Sequence, residues 1–527
     1  MSLPTTRFDF LAEVPAAADL GRVHFVAIGG AGMSGVARVM LAQGLEVSGC
    51  DAKESSLLQT LAAEGATVVV GHDPAHVATA DTVVISSAIR ESNPELVAAR
   101  SGGRRVLHRA QALASTMRGR RRVAVAGANG KTTTTSLLTV ALQACGVDPS
   151  FAVGGELARH GTNAHLGTGD VFVVEADESD GSFLVYRPHV AVVTSVQPDH
   201  LDFYGDLETV EEAYRELVGT IEPGGLLVVG VDDEGARRLA DWARTRRDDG
   251  DPELRVLTYG LAEDADVRVQ DVEHRGLAWA ATVTLSGAQH RLRLLVPGEH
   301  NLLNATAALA AATVGLGQPA DEVVAGLAGF TGTRRRFEPK GREAGVQIVD
   351  DYAHNPGKVA AVVDTARQLL DDAGAGRLVV VFQPHLYSRT RDFAQELGAG
   401  LARADVVVVM DVYAAREDPL PGVSGRLVAD AVSALASVPG AEGTGARVVY
   451  VPSWAAVADA VVDLVAPGDL VLTVGAGDVT MIGPEILLRL REAGRAEGSA
   501  GQSAGESAGG SADGSADGSV DESGAGS

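Results

Sequence analysis

Short runs of β-branched residues alternate with Ala- and Leu-rich amphipathic stretches from Val23 to Val474. That alternation restricts the chain to βαβ units with largely parallel sheets, so the fold class is α/β. The units fall into three groups. The first begins with the apolar run Val23 to Ile28 and continues through strands near Glu46 to Gly49, Thr67 to Val70 and Asp81 to Ser86, closing at the basic patch Arg118 to Arg122. The second opens with Arg122 to Ala126, carries Val171 to Glu175, Val190 to Ser195 and Leu226 to Val231, and ends at the Arg-rich segment Thr331 to Phe337. The third runs from Val346 to Val349 through Arg377 to Phe382, Asp405 to Met410, Arg447 to Val451 and Asp469 to Val474. A length of 527 residues suits about three domains. The expected boundaries are an N-terminal arm over 1–20, three α/β domains over 21–118, 119–333 and 334–495, and a tail over 496–527.

The tail is Gly, Ala, Ser and acid, with SADG at Ser511 repeated at Ser515. It has almost nothing apolar to bury, and disorder is expected from about Glu497. Formal net charge is −25, and the six acids of the tail still leave about −19 on the remainder. Such a mean field repels nucleic acid but admits small anions at a local cluster of donors. Met1 to Phe10 lacks a basic segment followed by an apolar one, and no stretch is apolar enough to span a bilayer. Neither export nor membrane insertion is expected, and a cytoplasmic location fits best. Cys50 and Cys145 stand far apart in apolar settings and spell neither a disulfide framework nor a zinc pattern.

Gly30, Gly32 and Gly35 follow the first strand in G-x-G-x-x-G spacing, with Asp51 at the end of the second. Glycines there let backbone N–H groups and a helix N-terminus approach a pyrophosphate, and the acid can take a ribose hydroxyl. The pattern points to a diphosphate without saying which. A stronger signal is Gly127-Ala128-Asn129-Gly130-Lys131-Thr132-Thr133-Thr134, again between strand and helix. Backbone amides of such a loop cradle phosphates, the Lys reaches the β/γ-phosphates, and the first Thr hydroxyl can bind Mg²⁺. Val125 stands where the longer Walker loop needs Gly.

Glu175 ends one predicted strand, in the run Glu175 to Asp180, and His200 follows the next. Both strand ends face the P-loop edge of a parallel sheet, where a carboxylate and an imidazole suit Mg²⁺, with Mn²⁺ as a second option, beside ATP. Two further polar clusters are Gly298 to Asn304, with His300, Asn301 and Asn304, and Asp350 to Pro356, with Asp351, Tyr352 and His354. Each reads either as ligand contacts or as helix caps and loop structure.

In this order the motifs resemble the Mur ligases over residues 22 to 490. The GGAGMSG loop from Gly29, the EADESD run from Glu175, Phe382-Gln383-Pro384-His385 with Arg389, Tyr413-Ala414-Ala415-Arg416-Glu417 and Gly475-Ala476-Gly477-Asp478 are most similar to the member that joins L-alanine to UDP-N-acetylmuramate. The resemblance implies a Rossmann-like N-terminal domain for the UDP moiety, a P-loop-type central ATPase domain and a Rossmann-like C-terminal domain. It also implies that ATP phosphorylates the lactyl carboxylate and that the alanine amine attacks the acyl phosphate, in peptidoglycan precursor synthesis.

The residue roles it implies are as follows. Lys131, Glu175, His200 and Arg335 serve catalysis, with the metal on Thr132, Glu175 and His200. Gly127, Asn129, Gly130, Lys131, Thr132, Thr133, His300, Asn301, Asn304 and Asp351 hold ATP. Gly30, Gly32, Met33, Ser34, Asp51, Ser86, Ser87, His108 and Arg109 bind substrate in the N-terminal domain. His354, His385 and Arg389, with Tyr352 shaping the pocket, hold the amino-acid carboxylate.

The chain departs from the family pattern at Ala128 and Asn129 in the P-loop, at Asn355 where a second His is common, and at Leu386 where Arg is frequent. It has no Lys between Lys131 and Lys340 for the carbamylated lysine of sibling enzymes. The rival readings are a sibling that recycles a murein peptide onto the same UDP-sugar, an NAD(P)-dependent oxidoreductase built on the first glycine loop, and a catalytically silent nucleotide-binding regulator.

Overall fold

A computed structural model describes residues 4, 6–157, 161–249, 253–415, 417–436 and 445–506. It divides into two compact units, Met1–Glu338 with Asp350–Gly374 and Ala414–Asp418, and Pro339–Val349 with Ala375–Tyr413 and Pro419–Ser527.

The first unit holds two sheets. One has five strands in the order Thr67–Val70, Val47–Asp51, Val23–Val26, Thr82–Ile85, Arg105–His108, every neighbour parallel. The strand order reverses between Val23–Val26 and Thr82–Ile85, and a crevice at such a switch point is where α/β sheets bind ligands. Both of those strands are buried along their whole length, as helices on two faces require.

The other sheet has ten strands, and its middle is the parallel series Arg255–Gly260, Leu226–Gly230, Val190–Val193, Arg121–Ala126, Val171–Glu175, Ser150–Leu157. Its edges depart from the largely parallel expectation. Val267–Arg275, Ala278–Leu285 and Ala288–Leu294 pair antiparallel on one side, and Thr162–His165 pairs antiparallel with Ser150–Leu157 on the other. Along Ala278–Leu285 buried and more exposed residues alternate, the mark of a strand covered on one face only. Ser286 at φ 50° and Gly287 at φ 81° make the two-residue turn between the last two strands, the backbone that a tight hairpin needs.

The second unit is built on a six-stranded sheet ordered Glu338–Glu343, Val346–Asp351, Leu470–Val474, Leu378–Phe382, Val406–Val409, Arg447–Tyr450. The last four strands are mutually parallel, and their valines pack with Ile482, Ile486 and Leu490 of the final helix.

That helix runs from Ile482 to Glu506, so residues 497–506 carry helical backbone where composition predicts disorder. A helix already nucleated on a packed apolar stripe extends without a new nucleation cost; Ala, Glu and Gln of 497–506 favour that extension and Gly498, Gly501 and Gly505 oppose it. The rest of the expected tail, 507–527, and Arg416 lie outside the described residues. Among the described residues no helix is long and apolar enough to cross a membrane.

Candidate active site

The P-loop follows the buried strand Arg121–Ala126 and leads into helix Lys131–Ala144. Gly130 caps that helix at φ 84°, and a Cβ there would collide with the Asn304 side chain, so only glycine fits. Asn129 closes the loop onto the next strand end, its N–H donating to Ser195 Oγ at 3.2 Å and its amide to Gln197 Oε1 at 3.0 Å. The departure from the family pattern at Asn129 therefore has a local structural role.

Lys131 Nζ donates to Gly127 O at 2.6 Å and to Glu178 Oε1 at 2.7 Å. Burial presses the ammonium pKa down, but the carboxylates of Glu178, Asp177 and Glu175 outweigh it and the net shift is upward. Lys131 stays charged. Thr132 Oγ1 donates to Glu175 Oε1 at 2.9 Å, and Gly154 N–H holds the other oxygen of Glu175 at 2.6 Å. The buried Glu178 Oε2 has no hydrogen-bond partner.

A cavity of about 620 Å³ opens over this loop, entirely within the first unit. Its walls include Asn129 to Thr133, Glu175, His300, Asn301, Asn304, Arg336, Asp351 and Lys358. Asn304 accepts from Thr134 Oγ1 at 3.2 Å and donates to Asn301 Oδ1 at 3.2 Å, while Asn301 donates to Pro297 O at 2.6 Å. These two amides thus fix helix Glu299–Ala310 to the P-loop helix. Burial lowers the pKa of His300, which keeps its ring neutral in the cavity wall. Asp351 accepts from Phe337 N–H at 2.8 Å and Ala353 N–H at 2.7 Å, and burial raises its carboxyl pKa. Its carboxylate ties the loop after Val346–Asp351 to the Arg-rich segment.

Three placements differ from expectation. Arg335, at φ 58°, turns toward Asp350, with Nε 3.5 Å from Oδ2, and stacks over the Tyr352 ring at 4.7 Å. It is the adjacent Arg336 that lines the cavity and reaches Thr132 Oγ1 at 3.4 Å. In a segment of three consecutive arginines, backbone φ decides which guanidinium faces the phosphate loop, and sequence does not display φ. His200 caps the short helix Leu201–Tyr204, its Nε2 3.8 Å from Asp199 Oδ1, and is not part of the cavity wall. Ser34 is buried, its hydroxyl spent on Ala31 O at 3.0 Å and its N–H on Gly30 O at 2.9 Å, and Met33 is buried beside it. Those two side chains shape the first glycine loop from within.

Sequence reasoning passed over Lys358. Asn355 caps helix Pro356–Ala373 by accepting from Lys358 N–H at 2.9 Å, and Lys358 joins the cavity wall. Burial, together with the charges of Lys131 and Arg336, lowers its pKa to about 8, against the opposing pull of Asp199 and Glu178. Three cations therefore converge on one cavity of a chain whose net charge is −25, and a polyanion would relieve their repulsion. The available signal was a helix N-terminus, Asn355-Pro356-Gly357-Lys358, directly after the polar loop.

In the five-stranded sheet Gly30 caps helix Ala31–Ala42, and Asp51 accepts from Gly29 N–H at 3.0 Å. His108 caps helix Arg109–Thr116 and is buried. Its Nδ1 accepts from Ala110 N–H, leaving Nε2 toward Ser87 Oγ at 3.1 Å and Asp180 Oδ2 at 3.4 Å. Arg109 donates to Asp177 Oδ2 at 2.8 Å. Ser87, His108 and Arg109 are thereby joined to the run that also carries Glu175 and Glu178. Ser86 sits at the same strand end, its carbonyl accepting from Ile89 N–H at 3.1 Å. Tyr352 and His354 pack edge to face at 5.4 Å in the first unit. His385 stacks on Tyr413 at 5.9 Å in the second, where Leu386, at φ 69°, caps the helix Tyr387–Leu401 that carries Arg389.

Three family models match the chain in sequence: Mur ligase family, catalytic domain over residues 22–121, Mur ligase middle domain over 125–312, and Mur ligase, glutamate ligase domain over 335–477. The UDP-N-acetylmuramate--L-alanine ligase of Kineococcus radiotolerans is 53% identical over 484 residues, covering 91% of this chain and 98% of that one. The enzyme of the same name from Saccharopolyspora erythraea is 51% identical over 494 residues, covering 92% and 97%. Among solved structures, the UDP-N-acetylmuramate-alanine ligase of Thermotoga maritima aligns with a TM-score of 0.73 at 27% identity, over 90% of this chain and 99% of that one. A murein peptide ligase from Psychrobacter arcticus shares the fold with a TM-score of 0.65 at 22% identity, over 89% and 98%. Half-identity sustained across almost the whole of both relatives, with the P-loop cavity in place, leaves one conclusion: this chain belongs to the Mur ligase family.

Proposed function

We infer that the protein joins L-alanine to the lactyl carboxylate of UDP-N-acetylmuramate at the expense of ATP, in peptidoglycan precursor synthesis. The observation that carries the ATP half of this reading is the convergence of Lys131, Lys358 and Arg336 on the P-loop cavity. The acceptor is supported by the names of relatives about half identical along nearly their full length. An oxidoreductase reading leaves those three cations without a role.

A lactyl carboxylate oxygen attacks the γ-phosphorus, the bond to the β-phosphate oxygen breaks, and ADP leaves with that electron pair. The neutral amine of L-alanine then attacks the acyl carbon. Phosphate departs with the original carboxylate oxygen, and the nitrogen gives up a proton as the amide forms. Two anions must meet in the first step, so fixed positive charge around the transferred group is what the chain has to provide. Lys131 exchanges Glu178 for phosphate oxygens, Arg336 and Lys358 neutralise the far side, and the P-loop amides orient the chain of phosphates. His300, Asn301 and Asn304 bound the nucleotide end of the cavity.

The Thr132 hydroxyl, the Glu175 carboxylate and the unpartnered Glu178 oxygen form a hard oxygen donor set that fits Mg²⁺, or Mn²⁺, better than a thiophilic metal. Such an ion, when bound, supplies charge neutralisation at the phosphate oxygens. In the N-terminal sheet Gly30, Gly32 and Asp51 offer the UDP-sugar side, with Ser87, His108 and Arg109 adjoining. Arg389 and His385, both in the second unit, are proposed for the amino-acid carboxylate, where a guanidinium can engage both oxygens.

Phosphate release from ATP tests the reading. It should require UDP-N-acetylmuramate and L-alanine together, with glycine slow, since one methyl group is worth only about 1–3 kcal/mol. D-Glutamate should be inert. Faster turnover with a tripeptide led by L-alanine would transfer the function to the recycling sibling.

A further inference from the structure

A second cluster of metal-binding side chains lies in the five-stranded sheet, away from the P-loop cavity. His24 on strand Val23–Val26, Cys50 on Val47–Asp51 and Glu95 in the first turn of helix Pro94–Ser101 are all buried, at 1%, 0% and 0% exposure. One ligand atom from each lies within 4.8 Å of the others. His72, beyond strand Thr67–Val70, adds Nδ1 at 3.2 Å from Cys50 Sγ and 2.9 Å from Glu95 Oε2. Cys50 Sγ is itself 2.7 Å from Glu95 Oε2, and His24 Nε2 is 3.8 Å from Oε1. Ligands of a tetrahedral ion with metal–nitrogen and metal–sulfur bonds of about 2.0–2.3 Å stand roughly 3.3–3.7 Å apart, which these separations bracket.

The chemistry of the donors agrees. His24 Nδ1 is held by Ser48 Oγ at 2.9 Å, which orients the ring. His24 Nε2 is buried, has no hydrogen-bond partner and faces the Glu95 carboxylate. The carboxylate of Glu95 is surrounded by a thiol, imidazoles and the Asp73 N–H at 3.4 Å, not by Lys or Arg. His76 Nδ1 holds its Oε1 at 2.7 Å, the outer-shell contact that orients a ligating carboxylate. His72 and His76 retain 25% and 24% side-chain exposure, which leaves an entry path.

We propose that this cluster binds one zinc-class divalent cation, with Cys50 Sγ, His24 Nε2, His72 Nδ1 and the Glu95 carboxylate as ligands and His76 bracing the carboxylate. The thiol proton leaves to solvent as the sulfur–metal bond forms, with no change of oxidation state. A thiolate with imidazoles selects zinc over magnesium, so the site is chemically distinct from the oxygen donors of the P-loop. Its ion would tie together two strands of the sheet, the loop at His72 and helix Pro94–Ser101, through a cysteine that directly precedes Asp51, which braces the glycine loop through Gly29. The ligand positions 24, 50, 72 and 95 are too dispersed for any compact zinc motif, and only the strand order assembles them.

Cobalt(II) reports the site, because thiolate coordination produces a near-ultraviolet charge-transfer band. The full chain, stripped with chelator and held in excess Mg²⁺ to fill the oxygen site, should take up one equivalent of Co²⁺ with that band, and Zn²⁺ should displace it stoichiometrically. Cys50→Ser should abolish the band, while Cys145→Ser should keep it. His72→Gln, at a partly exposed position that leaves the core intact, should weaken binding at least about tenfold. Absence of the band in the unaltered chain, its persistence in Cys50→Ser, or an unchanged affinity in His72→Gln would overturn the proposal.

Discussion

At the scale of single residues, the two cavity lysines do different work. Lys131 is already charged and paired with Glu178, so Lys131→Ala removes a preorganised donor to the transferred phosphate. Its turnover should fall by about 10²–10³-fold in a phosphate-release assay, whereas activity within a few-fold of the unaltered chain would remove Lys131 from the reaction. Lys358 faces Lys131, Arg336, Asp199 and Glu178 and carries a pKa lowered to about 8. A lowered ammonium costs the empty protein stability below pH 8, and that cost fades as pH rises toward the ordinary lysine value near 10.5. ATP restores the proton, so nucleotide binding should take up protons above pH 8, and affinity should weaken there. Lys358→Met should therefore melt higher than the unaltered protein at pH 7 without ligand, yet bind ATP more weakly and with less proton uptake in calorimetry at pH 8.5. Equal proton uptake in both proteins would contradict the placement of Lys358.

Lys131, Thr132 and Glu175 were legible from sequence because a P-loop is contiguous and a strand end fixes which edge a carboxylate faces. Lys358, Arg336 and Glu178 were not. The first depends on which unit its helix joins, the second on a positive φ at Arg335, and the third on a choice among four acids in one six-residue run. The cluster around Cys50 lies further still from sequence, since its ligands come from two strands, a loop and a helix.

At the scale of elements, strands buried on both faces announced themselves as unbroken apolar runs, and Val171–Glu175 stands where it was expected. The antiparallel edge from Val267 to Leu294 was missed because polar residues break up Val267–Arg275 and Ala288–Leu294 and the turn signal at Ser286-Gly287 is brief. The final helix makes the opposite point, for composition predicted disorder where the backbone remains helical to Glu506. Ile486 and Leu490 of this helix sit in the core of the second unit. Ending the chain after Glu497 should leave the melting temperature and turnover unchanged, while Ile486→Ala should cost about 2–5 kcal/mol in denaturant unfolding. A marked loss of stability on truncation alone would show that the later turns pack.

At the scale of the whole molecule, the account rests on a division of labour. The first unit contains the phosphate cavity and the glycine loop of the N-terminal sheet, and the second carries Arg389 and His385. Resemblance of about nine-tenths of the chain to ligases of one name supports a single reaction. The most direct test of that reaction follows the oxygen atoms. With both lactyl carboxylate oxygens of UDP-N-acetylmuramate labelled with ¹⁸O, the account predicts one labelled oxygen in each phosphate released and one retained in the UDP-N-acetylmuramoyl-L-alanine formed, both read by mass spectrometry. Unlabelled phosphate, or ATP consumption without that product, would contradict it.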